Sequence, residues 1–90
     1  MTEGPEWQVI WTPEGRRSLT HVPPRILPAI ISFVSEKLTA DPWHVSHTLN
    51  APLDGYRSGR VGSYHVLVRI DAQKKAAYVV KAAYHADVYR

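Results

Sequence analysis

Tyr56-Arg57-Ser58-Gly59-Arg60-Val61-Gly62-Ser63-Tyr64-His65-Val66-Leu67-Val68-Arg69-Ile70-Asp71 reads as two strand-like runs around a Gly-Ser pair. A two-residue loop with glycine first suits the type II′ turn, whose twist matches that of the strands it joins. With Gly62 and Ser63 as the turn, Val61 pairs with Tyr64, Arg60 with His65, Gly59 with Val66, Ser58 with Leu67 and Arg57 with Val68. Side chains alternate along a strand, so this register assigns every residue to a face. One face carries Val61, Tyr64, Val66, Val68 and Ile70 and needs cover from water. The other carries Tyr56, Ser58, Arg60, His65, Leu67 and Arg69.

Downstream, Ala72-Gln73-Lys74 reads as a turn and Lys75 to Ala83 as a third strand. Simple alternation there puts Tyr78, Val80 and Ala82 on one face, and Val79, Lys81, Ala83 and then His85 on the other. Upstream, Trp7 to Trp11 reads as a short strand that stops at Thr12-Pro13. Thr12 is a good N-cap, Pro13 suits the first helical position, and Glu14 lies in the first turn, where a carboxylate favours the helix dipole. This helix is expected to end near His21, because Val22-Pro23-Pro24 breaks it. A second helix is expected from about Pro24. Ile26, Leu27, Ile30, Ile31, Phe33, Val34 and Leu38 recur at three- and four-residue spacing and form one apolar stripe. Asp41 to Gly55 reads as an ordered loop anchored by Trp43 and Leu49. The fold class is therefore α+β: an αα-hairpin packed on one face of a small, mostly antiparallel sheet, in a single domain over residues 1–90.

Composition narrows the function. With 90 residues there is room for one core, and with no cysteine there is neither a disulfide framework nor a thiolate nucleophile. A hydrophobic share of 44% and a charged share of 21% are those of a globular chain rather than a disordered one. No apolar run is long enough to cross a bilayer, and Met1 to Trp7 has neither the basic nor the apolar block of a targeting peptide, so no membrane partner and a cytoplasmic location are expected. Charge is divided along the chain. Residues 1–55 hold four basic and six acidic residues, a balance of −2, whereas residues 56–90 hold seven basic and two acidic, a balance of +5. That asymmetry fits a polyanion or an acidic protein meeting the C-terminal half, or a solvated basic surface. The uncovered sheet face favours a binding or catalytic role, because it has almost no carboxylate and carries Arg and His where a solvent face ordinarily mixes Glu, Lys and Thr.

The same residues carry a resemblance. The Trp7–Trp11 strand, the helix pair, the segment Asp41–Asp71 and the terminal Tyr84-His85-Ala86-Asp87-Val88-Tyr89-Arg90 together resemble the RelE/ParE toxin superfamily over nearly the whole chain. The most specific pieces are Leu53-x-Gly55-x-Arg57-Ser58-x-Arg60-x-Gly62-x-Tyr64 and the closing Asp87-Val88-Tyr89-Arg90. The resemblance implies a β-α-α-β-β-β fold with a short C-terminal helix or extension. For the RelE branch it implies a small cytoplasmic bacterial toxin that enters the ribosomal A site and cuts mRNA there without a metal or cofactor. A RelB-like antitoxin is the implied partner, with operator DNA reached only through the complex. Several positions depart from the commonest pattern: His65 and His85 stand where Arg is usual, His47 where many members have Lys, and Tyr56 and Ser58 where some have Lys. The alternatives kept beside the nuclease are a non-enzymatic, gyrase-inhibiting toxin of the ParE type and a weakened RelE relative acting through antitoxin binding.

Cutting RNA with its own 2′-OH requires a base for that hydroxyl, charge stabilisation on the crowded phosphate, and an acid for the leaving 5′-oxygen. Two imidazoles can serve as acid and base near neutral pH, and a guanidinium supplies a forked, permanently charged donor. The candidate catalytic residues are Arg60 as phosphate clamp, His65 and His85 as the acid–base pair in either order, and Tyr89 on the phosphate or a base. Tyr56, Arg57, Arg69, Lys81 and His47 are candidates for holding RNA, through charge and through stacking on exposed bases. Two bland readings stand beside these: Tyr89 as a lid on Trp7 or Trp11, and Arg57, which falls on the apolar side of the register, as one half of a salt bridge. His44 and His47 share a His-x-x-His spacing, but a solvated loop explains it better than a metal site, and His21 reads as a helix end.

Overall fold

The computed structural model describes residues 6–88. Its elements run β1 (Gln8–Trp11), α1 (Pro13–Ser18), a 3-10 turn (Leu19–His21), α2 (Leu27–Ser32) continued as wider π-helical turns (Phe33–Leu38), β2 (His47–Thr48), β3 (Arg57–Val61), β4 (Tyr64–Asp71), β5 (Ala76–Tyr84) and a 3-10 turn (His85–Asp87). The strands form one mixed sheet in the order β1-β5-β4-β3-β2, with β1 parallel to β5 and the remaining pairs antiparallel. The α+β class and the helix pair on one sheet face match the sequence reading.

The hairpin register is the expected one: Arg57↔Val68, Ser58↔Leu67, Gly59↔Val66, Arg60↔His65 and Val61↔Tyr64. Gly62 takes φ +60°, the left-handed backbone that a type II′ turn needs at its first central residue. Val66, Val68, Val79 and Ala82 then point to the helices and meet Ile30, Phe33, Val34 and Leu38 in a buried cluster. Each of these side chains larger than Ala82 contributes about 1.5–3 kcal/mol by leaving water. The wider π turns serve this packing, because Phe33 and Leu38, five residues apart, both end up buried. Helix α1 is pressed against β5. Thr12 caps it by accepting from the Gly15 N–H, while its own hydroxyl donates to the Val79 carbonyl 2.9 Å away. Ser18 Oγ accepts from the Ala82 N–H at 2.9 Å. A Cβ on Gly15 would collide with the Val79 carbonyl, so this close approach requires glycine.

Four expectations are corrected. Regular helix begins at Leu27 rather than Pro24, with Pro28 in its first turn, where a missing N–H costs little. Ile31 belongs to the apolar stripe by spacing but is 45% exposed, because the helix turns it away from the sheet. The Asp41–Gly55 loop contains β2, two residues that pair with β3 as His47↔Ser58 and Thr48↔Arg57. Strand β5 does not alternate throughout: Leu67 pairs with Lys81 but Val68 with Val79, so a bulge at Val80 reverses the phase. Val79 therefore faces the core, fully buried, and Tyr78 lies beside Arg69 on the uncovered face.

Candidate functional site

The uncovered face is a grid set by the ladder. Arg60, His65 and Ala83 form one row across β3, β4 and β5, and His47, Ser58, Leu67 and Lys81 form the next across β2 to β5. Ser58 is diagonal to His65, and its Oγ lies 3.0 Å from His65 Nδ1, sharing a hydrogen bond with it. Ser58 is 2% exposed, so the hydroxyl is held beneath the imidazole rather than dissolved in water. Arg60 is exposed and donates from Nε to the Gly62 carbonyl at 3.0 Å, which draws its stem towards the hairpin turn.

The C-terminal turn brings the second imidazole to the same place. The backbone N–H of His85 donates to the Ser63 carbonyl at 2.9 Å. Its ring lies against Tyr84, with centroids 4.5 Å apart, and Tyr84 in turn meets Tyr64 edge-on at 5.7 Å. Arg60, Gly62, Ser63, His65 and His85 line one cavity of about 290 Å³. Burial, and then the charges of Arg60, His85 and His47, hold His65 below the ordinary imidazole value of 6.5, since each disfavours another positive charge there. The arrangement offers a neutral imidazole, a second exposed imidazole and a guanidinium around one opening.

A second, larger hollow of about 520 Å³ lies on the same sheet face. It is lined by Leu53, Tyr56, Leu67, Arg69, Lys81 and Val88 among others. Arg69 sits over the Tyr56 ring, 5.8 Å from its centroid. Leu67 is 5% exposed and Val88 3%, so the C-terminal turn covers part of the face that the sequence reading leaves open. Lys81 Nζ donates to the Asp87 carbonyl at 3.4 Å and helps to hold that turn down.

Of the residues named from sequence, Arg60, His65 and His85 are brought together, with His47 near enough to act on His65 electrostatically. Tyr56, Arg69 and Lys81 line the neighbouring hollow. Arg57 stands apart. Its Nε donates to Ser46 Oγ at 2.8 Å, its terminal nitrogen to the carbonyls of Ser46 and Trp43 at 2.7 and 3.2 Å, and its guanidinium lies 5.0 Å from the Trp43 ring centroid. It ties down the 43–46 loop, as its place on the apolar side of the register allows. Trp43 itself is 44% exposed, so it anchors by stacking rather than by burial. Tyr89 lies outside the described residues. Ser58 is not among the residues named from sequence, although the register places it diagonal to His65. Among the described residues, no group of three or more His, Cys, Asp or Glu side chains gathers in a metal-holding arrangement, and no helix is long and apolar enough to cross a membrane.

No family model matches the chain. Over 84 residues it is 36% identical to Toxin RelG of Mycobacterium tuberculosis, covering 93% of this chain and 97% of that protein. It is 28% identical over 90 residues to Toxin RelE of the same organism, covering all of this chain and 93% of the relative. Among solved structures it superposes with a TM-score of 0.82 on a chain of the M. tuberculosis toxin–antitoxin complex RelBE2, at 33% identity, covering 88% of this chain and 98% of that one.

Proposed function

This chain belongs to the RelE toxin family, and on that footing we propose that it is a toxin–antitoxin toxin that cuts mRNA in the ribosomal A site. The observation that carries the reading is the meeting of Arg60, His65 and His85 at one cavity beside the hairpin turn. His65 acts as the base: held below its ordinary value, it is neutral at pH 7 and can take the 2′-OH proton. The freed oxygen attacks the adjacent phosphorus, a new O2′–P bond forms, and Arg60 offers its permanent charge to the non-bridging oxygens. The P–O5′ bond breaks as His85, in its protonated form, gives its proton to the leaving oxygen. The products are a 2′,3′-cyclic phosphate and a 5′-hydroxyl.

The hollow lined by Tyr56, Leu67, Arg69 and Lys81 seats flanking nucleotides, with an apolar floor and an aromatic wall for a base and, against the single carboxylate of Glu14, two cations for the backbone. His47 stands at the sheet edge beside them, and Tyr89 is the candidate to hydrogen-bond the phosphate or stack on a base. A RelB-like antitoxin with an acidic or amphipathic segment is the inhibitory partner, since a +5 balance over residues 56–90 needs a counter-surface. Operator DNA is reached only through that complex, and the toxin works in the cytoplasm.

The test is controlled induction in translating cells with mapping of mRNA ends, comparing the wild type with His65→Ala and His85→Ala. Codon-phased cuts that vanish in both variants support the nuclease. Growth arrest that persists in both without cuts overturns it and points to another target, such as gyrase.

A further inference from the structure

We infer that Ser58 is a positioning residue that fixes the neutral His65 ring in the tautomer with its proton on Nδ1, making Nε2 the basic nitrogen. Both the tautomer and its catalytic consequence rest on His65 acting as the base in the nuclease reading above, but the ring spectrum and the cleavage assay can fail separately. The geometry supplies the argument. Ser58 Oγ and His65 Nδ1 are 3.0 Å apart, and the hydroxyl is buried on a strand whose register with β4 is set by the ladder. A serine hydroxyl can donate or accept. A base, however, alternates between neutral and protonated forms, and in the protonated ring Nδ1 must be a donor. With Ser58 as acceptor the same hydrogen bond survives both forms, and no side chain has to turn over during the reaction. With Ser58 as donor, the bond would break each time the ring took up a proton.

The choice of hydroxyl over carboxylate also has a consequence. A carboxylate on Nδ1 would hold the same tautomer but stabilise the imidazolium and raise its basicity. Ser58 is neutral, so it orients the ring without adding that pull. Among the described residues, the charged groups that act on His65 from the neighbouring elements include Arg60 on β3, His85 on the C-terminal turn and His47 on β2. All three oppose protonation, and an uncharged orienting group leaves that bias intact.

The experiment is ¹⁵N NMR of the His65 ring in the purified chain at pH 8, paired with single-turnover cleavage of mRNA on programmed ribosomes. In the wild type the proton is expected on Nδ1. In Ser58→Ala it is expected to shift towards Nε2, the form free imidazole side chains favour. The cleavage rate should fall about five- to tenfold, the scale of one lost neutral hydrogen bond, with little change in the concentration giving half-maximal rate. Ser58→Thr is expected to restore both the tautomer and the rate. In Ser58→Asp the proton should remain on Nδ1, but the pH–rate profile should move to higher pH. A wild-type ring protonated on Nε2, or a Ser58→Ala ring that keeps Nδ1–H, overturns the inference. The wild-type spectrum decides even if a variant fails to fold. A wild type that holds Nδ1–H yet cuts no RNA overturns the nuclease reading and supports the tautomer assignment.

Discussion

On the helix-covered side of β3 to β5, Val66, Val68 and Val79 are fully buried against Ile30, Phe33 and Val34. One residue along the same strands, Arg60, His65 and Arg69 stand on the side the helices leave bare. The contrast is sharpest between the two arginines of β3. Arg57 has its guanidinium tied into the 43–46 loop by three hydrogen bonds, whereas Arg60 donates from Nε to the Gly62 carbonyl and lines the His65 cavity. Residue type alone does not separate a structural cation from a candidate for catalysis; the face to which the register assigns it does.

That division can be broken or sharpened by experiment. The largest effect is expected on the bare face: Arg60→Ala or His65→Ala should lower mRNA cleavage by about 10²–10⁴-fold, the range for losing a positioned charge or base, with thermal midpoints close to wild type. Cleavage rates and melting curves on the same samples check it. Next, Ile30→Ala on the covered side should lose about 2–5 kcal/mol in urea unfolding, as expected where a fully buried side chain leaves a cavity. Arg57→Ala should act as the covered-side arginine. A loss of about 1.5–3 kcal/mol in stability is expected from its hydrogen bonds to Ser46 and Trp43, with cleavage falling far less than in Arg60→Ala. If Arg57→Ala instead abolished cleavage without changing stability, the separation of the two arginines would be wrong.

The smallest effect is a pH dependence. The His65 value in the folded chain lies below that of the unfolded chain, so protonation favours unfolding. Its contribution to stability should be complete above about pH 6.5 and be lost as pH falls through the window beneath. Unfolding titrations of wild type and His65→Ala across that range should diverge in that direction.

The elements legible in the sequence were those with a strong local signal. The Gly62-Ser63 turn set the register, and with it the pairing of Arg60 with His65 and the face on which both stand. Thr12, Pro13 and Glu14 marked the start of α1, and the apolar spacing marked α2. Features that depend on distant contacts were not legible. A two-residue β2 has no periodicity to read; its pairing with β3 supplies the structure. The bulge at Val80 is a property of the pair β4–β5, so simple alternation misplaced Val79 and Tyr78. Leu67 looked like an exposed apolar residue because its cover, the turn carrying Val88, comes from twenty-one residues further along the chain. The meeting of His85 with His65, by contrast, was expected from the face that alternation gave to both, whereas the Ser58–His65 hydrogen bond depends on side-chain rotamers that spacing does not specify.

Two carbonyls at the hairpin tip, those of Gly62 and Ser63, receive the Arg60 guanidinium and the His85 amide respectively. The proposed clamp and acid thus hang from adjacent links of the chain, so a rigid shift of the loop would carry them together and preserve their mutual spacing. Lengthening that loop by even one residue would uncouple them while leaving the valine-lined interior untouched. The tip is therefore where small insertions would separate a silent scaffold from a working one.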